Sequence, residues 1–100
     1  MNTQFTINHS KIAAFCKKWN IVEFAVFGSV LSDDFRPDSD VDVMVSFEEN
    51  AGWDLFDLVY MLDELKTIYG REVDLVEKGS IRNPFRLHSI MTTKQVLYAA

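Results

Sequence analysis

The sequence predicts an α+β domain, a small mixed sheet with helices mainly on one face. Three observations carry that prediction. Two stretches place apolar residues at helical spacing, which calls for packed amphipathic helices. Val22 to Phe27 is a near-continuous run of β-formers. Val41 to Phe47 alternates between a face of Val41, Val43, Val45 and Phe47 and a face of Asp42, Met44 and Ser46, the period of a strand covered on one face. Strands and helices mixed within 100 residues fit one domain, spanning residues 1–100.

The elements follow in order. A first helix is expected from Asn8 to Trp19, capped by Asn8 or Ser10, with Ile12, Phe15, Cys16 and Trp19 on one stripe. Val22 to Phe27 reads as a central strand that ends at Gly28-Ser29, where a short helical turn begins. In the next strand Val41, Val43, Val45 and Phe47 face one way, and Asp42, Met44 and Ser46 face the other. Asp54 is expected to cap a long helix to Tyr69, with Leu55, Leu58, Val59, Leu62 and Leu65 buried and Gly70 as its stop. Glu72 to Val76 is a third, short strand. Asn83-Pro84 reads as a cap followed by proline at the first helical position, opening a last helix to Met91. Val96 to Tyr98 supplies an edge strand.

Composition removes several function classes. An apolar content of 48% is enough to build a core and argues against disorder. No apolar run approaches the ~18 residues that span a bilayer. Met1-Asn2-Thr3-Gln4 lacks the basic and apolar regions of a signal peptide. A lone cysteine, Cys16, excludes an internal disulfide framework and a cysteine zinc cage. Together these point to the cytoplasm. The net charge of −5 argues against direct nucleic-acid binding, which needs a basic footprint. Asp33, Asp34, Asp38, Asp40 and Asp42 crowd into ten residues, offset only by Arg36.

Asp40 and Asp42 lie two apart, so on a strand they share a face at a spacing of ~6.5–7 Å. Two such carboxylates repel, and burial raises the cost of ionising both. A hard divalent cation between them relieves that cost, magnesium first. The pair alone is equally at home on a strand end dipping into solvent. Asp74, flanked by Val73 and Leu75 on another strand, offers a third carboxylate to the same face. Gly28 lets the backbone approach a ligand closely, and Ser29 offers a hydroxyl beside amides that suit an anion. A glycine-serine turn ahead of a carboxylate pair fits the phosphate side of a nucleotide–metal site.

Gly28-Ser29, ten residues, then Asp40-Val41-Asp42 resembles the G-S-x10-D-x-D signature of the DNA polymerase β-like nucleotidyltransferases. The stretches Arg36 to Val45, Asp54 to Leu58, Arg71 to Val76 and Ile81 to Tyr98 resemble the minimal nucleotidyltransferase (MNT) branch, so the resemblance covers nearly the whole chain. It implies a single palm domain in which Gly28 and Ser29 hold the nucleotide phosphates. It implies that Asp40 and Asp42 ligate two Mg2+ ions. Asp74 would complete one metal site and help deprotonate the incoming hydroxyl. The implied reaction is in-line transfer of a nucleoside monophosphate, with ATP as donor and loss of pyrophosphate. MNT proteins of this size are typically encoded beside a HEPN protein, a helical ribonuclease toxin, and act as its antitoxin, in some cases by adenylylating a toxin tyrosine. One departure stands out: Ser32 occupies a position where family members often carry an arginine. Arg36, Lys66 and Arg71 are the candidate replacements.

Three functions therefore compete: an adenylylating antitoxin, an antitoxin that only occludes its toxin, and a stand-alone enzyme acting on a small molecule. The last lacks a second domain to hold an acceptor. Cys16 sits within the apolar stripe and reads as core, not nucleophile. His88, Tyr98, Trp53 and Lys17-Lys18 suit ordinary packing or surface roles as well as functional ones.

Overall fold

The computed structural model describes residues 8–31 and 39–100. Ser32, Asp33, Asp34, Arg36 and Asp38 lie outside the described residues. The element order is α1 (His9–Lys18), β1 (Ile21–Phe27), a 3-10 turn (Gly28–Leu31), β2 (Val41–Phe47), α2 (Leu55–Tyr69), β3 (Val73–Glu77), a second 3-10 turn (Lys78–Ser80), α3 (Pro84–Thr93) and β4 (Gln95–Ala99).

Each helix begins where the sequence supplies a cap. Asn8 Oδ1 accepts from Lys11 N at 3.1 Å, so Asn8 and not Ser10 opens α1. Asp54 and Asp57 form a reciprocal capping box at the start of α2, at 2.9 and 3.0 Å. Asn83 Oδ1 accepts from Phe85 N and Arg86 N at the start of α3, and Pro84 follows it. Gly70 closes α2 in the left-handed region, at φ 68°.

The sheet order is β3-β2-β1-β4. β1 pairs antiparallel with both β2 and β4, while β2 and β3 run parallel. The sheet is mixed because α2 crosses over between two strands that share a direction. A register shift between Ile21 and Glu23 lets both Ile21 and Phe24 face the same core, although they are three residues apart.

Two apolar layers flank the sheet. The larger packs Ile12, Phe15 and Cys16 of α1 and Met61 and Leu65 of α2 against Phe24, Val43 and their neighbours. The smaller packs Ile90 of α3 and Ile81 on Phe27 and Met44. So two of three helices share one face, and α3 takes the other. Cys16 is fully buried, and burial pushes its thiol up to about 12, which fits core packing and not nucleophilic chemistry. Trp53 stacks edge-on against Trp19 at 5.2 Å, and its Nε1–H donates to the Trp19 carbonyl at 2.7 Å. It covers the core. Among the described residues no helix is long and apolar enough to cross a membrane.

One expected face is corrected. Leu55 and Val59 do not lie in the core: Leu55 is 73% exposed and Val59 49%. α2 is rotated so that Met61 and Leu65 are buried and Leu58, Leu62, Ile68 and Tyr69 pack beside them. The physical reason is that α2 carries apolar residues around most of its circumference. Two helical stripes fit the sequence equally well, and the sheet selects the one that brings Met61 inward.

Candidate functional site

Asp42 sits second in β2. Its neighbours Val41 and Val43 point into the large core, which turns Asp42 to the opposite face, next in line to buried Met44. Its register partners are Phe27 on β1 and Asp74 on β3. Because β2 and β3 run parallel, Asp42 and Asp74 lie side by side at the strand starts, with backbones ~4.8 Å apart. Asp40 stands two residues before Asp42, exposed at the strand entrance.

The chain leaves β1 directly over this group. Gly28 follows Phe27, the partner of Asp42, and takes φ +75°. A Cβ at Gly28 would collide with Asp42 Oδ2, so a larger residue here would displace the Asp42 carboxylate besides straining the dihedral. Ser29 is exposed on the turn beside it.

Electrostatics identify Asp42 as the centre of the group. Burial raises its carboxyl above the ordinary value, and Asp74 and Asp40 add to the rise. The opposing influence is Arg86 on α3. Arg86 was missed from the sequence. It lies one turn before Ile90, which packs on Met44, so helical spacing brings it to the sheet face that carries Asp42. The Asn83-Pro84 start fixed that register and was the signal available. The replacements expected from the sequence stand elsewhere: Lys66 pairs with Glu72 at 3.2 Å, Arg71 donates to the Ser39 carbonyl at 3.4 Å, and Arg36 lies outside the described residues.

Among the described residues no three His, Cys, Asp or Glu side chains stand together as a closed metal cage. Asp42 and Asp74 share a sheet face, and Asp40, just ahead of β2, adds its charge to theirs. Asp40 and Asp74 are exposed. The donor set is all oxygen and crowded with like charge, which fits a hard divalent cation. His88 is exposed on α3, and Tyr98 is half-buried on β4 beside the large core.

A mixed sheet that brings carboxylates of adjacent strands beside a glycine-serine turn defines a nucleotidyltransferase palm. The model of the family described as "Nucleotidyltransferase domain" matches residues 10–97, and the chain belongs to that family. A Methanocaldococcus jannaschii relative, provisionally named a protein adenylyltransferase, is 35% identical over 82 residues, covering 82% of this chain and 80% of that one. A chain in the crystal structure of a toxin–antitoxin with AMP-PNP superposes with a TM-score of 0.75 at 20% identity, covering 94% of this chain and 75% of that one. A chain of the complex between tri-AMPylated Shewanella oneidensis HEPN toxin and MNT antitoxin gives 0.66 at 18% identity, covering 92% and 70%. The last two likenesses are of fold.

Proposed function

We propose that this nucleotidyltransferase is an antitoxin that transfers AMP from ATP to a tyrosine of a HEPN ribonuclease encoded beside it, and so neutralises that toxin. The observation that carries the reading is the contact of Gly28 with Asp42, with Asp74 as its register partner. It sets an exposed glycine-serine turn directly against two carboxylates of adjacent strands. The adenylyltransferase name of the archaeal relative and the AMPylated HEPN toxin in the Shewanella complex support the choice of donor and acceptor.

Each residue then has a task. Gly28 and Ser29 hold the triphosphate by backbone approach and hydroxyl. Asp40, Asp42 and Asp74 hold Mg2+, two ions in this reading. Bound there, Mg2+ supplies charge neutralisation for the attacking and leaving oxygens. Asp74 accepts the proton of the tyrosine hydroxyl as its oxygen bonds to the α-phosphorus. The bond from that phosphorus to the bridging oxygen breaks, and pyrophosphate leaves. Arg86 adds positive charge on the face where phosphates gather, a part that Ser32 cannot play.

Intact-mass spectrometry of the HEPN protein after incubation with this chain, Mg2+ and ATP tests the reading, with Asp42→Asn alongside. A gain of one or more AMP units, absent with the variant, is expected. No gain, with a tight complex still formed, would replace enzymatic neutralisation by occlusion.

A further inference from the structure

The first two turns of α2 carry an apolar surface that the fold leaves uncovered. Leu55, Phe56 and Tyr60 are 73%, 74% and 62% exposed, and Val59 lies between them. Positions 55, 56, 59 and 60 form one stripe along the helix. The stripe continues into a cavity of about 340 Å3 between α2 and β3, lined by Leu55, Val59, Leu62, Leu75 and Val76. β3 is an edge of the sheet, so the cavity opens at the side of the molecule. A contiguous apolar surface of this kind marks an interaction site more often than idle exposure.

Charge says what covers it. Residues 48–65 hold six acids (Glu48, Glu49, Asp54, Asp57, Asp63 and Glu64) and no lysine or arginine; Glu64 is paired with Lys18 of α1, and the other five keep this side of α2 acidic. A second copy of this chain would set those acids against its own, at a net charge of −5 per copy. The fitting occupant is apolar along one stripe and basic along its flanks. A groove beside a helix, with anchors spaced over two turns, takes a helix.

We infer that the α2 stripe and its groove dock an amphipathic helix of the partner protein, one whose apolar face is flanked by lysines and arginines. The identity of that partner as the HEPN protein rests on the function proposed above. The anchoring residues of the dock lie on α2, off the strands that carry the carboxylates. Leu55 and Phe56 follow the end of β2, and the groove takes in Val76 near the end of β3, whereas Asp42 and Asp74 stand at the starts of those strands. Along β2 the two ends lie ~20 Å apart, while on β3 the groove residue Leu75 follows Asp74 directly, so it is the anchors on α2, not the groove floor, that stand apart from the carboxylates. Docking and transfer are therefore separable by mutation.

The test is affinity for the HEPN protein, by calorimetry, of the full chain and of two variants. Leu55→Ser with Phe56→Ser removes the anchors, and Asp63→Lys reverses a flanking charge; thermal unfolding confirms that both fold. The double variant is expected to bind roughly ten- to a hundredfold more weakly. Asp63→Lys is expected to bind more weakly at low salt and to approach the wild type at high salt. Asp42→Asn is expected to bind as the wild type while transferring no AMP. Unchanged affinity in both surface variants overturns the dock and leaves the transferase reading intact. Weakened binding with no AMP transferred by the wild type keeps the dock and removes the transferase reading. Absence of a HEPN complex, or a wild-type dimer that Phe56→Ser dissociates, overturns the inference in favour of another occupant.

Discussion

At the scale of single residues, Gly28 and Asp42 define each other. Gly28 holds a dihedral that L side chains rarely adopt, at a place where its missing Cβ makes room for a carboxylate oxygen. Gly28→Ala is expected to cost about 1–3 kcal/mol of stability, read by chemical denaturation. A cost near zero would mean that the turn relaxes and the close approach is dispensable. Asp42 is in the opposite position, since its ionised form is disfavoured by burial and two like charges. Its folded carboxyl titrates above its unfolded value of 3.8. Between the two the folded chain binds more protons, so this group's contribution to stability falls as pH rises through that window. Above it the wild type carries the full penalty. Asp42→Asn is therefore expected to melt higher than the wild type at pH 8 without Mg2+, with the gap closing towards pH 4. Millimolar Mg2+ with ATP is expected to raise the melting temperature of the wild type and not of the variant. Equal melting temperatures at pH 8 would show that Asp42 is not strained.

Among the elements, legibility followed the number of solutions the pattern allowed. The bounds and facing of β2 were readable, because alternation sets Asp42 opposite Val41 and Val43, but the expectation of one covered face fails: Met44, on the face of Asp42, is buried with Ile90 of α3. The cap of α1 was narrowed to Asn8 or Ser10, and the caps at Asp54 and Asn83 were readable because their side chains satisfy amides locally. The face of α2 was not, because Leu55 and Val59 compete with Met61 for the core and only the sheet's position decides. Met61→Ala is accordingly expected to destabilise by about 2–4 kcal/mol, and Val59→Ala by less than about 1. The reverse order in urea unfolding would restore the face expected from the sequence. Arg86 escaped notice for a related reason. Its partner Asp42 lies 44 positions away in sequence, and nothing local to α3 announces an acid. Arg86→Ala is expected to weaken ATP binding several-fold, with Arg86→Lys restoring part of it and thermal unfolding unchanged. Equal affinity in all three would leave Arg86 a surface charge.

For the whole molecule, the parallel pair β2–β3 gives the sheet two unlike ends. The strand starts gather carboxylates that raise one another's cost of ionisation, and the strand finishes open onto an apolar groove. The connection between them is the body of the sheet and α2, both packed against the same large core. Both ends rest on this one shared core, and among the described residues the two sites share no side chain, so a weak coupling is the expectation. Affinity for the HEPN protein is thus expected to change by less than about fivefold, the low edge of typical couplings, when Mg2+ and an ATP analogue with a methylene bridge between the α and β phosphorus atoms are added. That analogue fills the nucleotide site without surrendering AMP, so the acceptor stays unmodified during the measurement. A larger change would mean either that the partner touches the nucleotide directly, placing its contact at the strand starts, or that the core transmits between the ends. Repeating the measurement with Leu55→Ser and Phe56→Ser separates the two. Coupling that survives the loss of the groove belongs to the carboxylate end, and coupling that vanishes with it runs through the sheet.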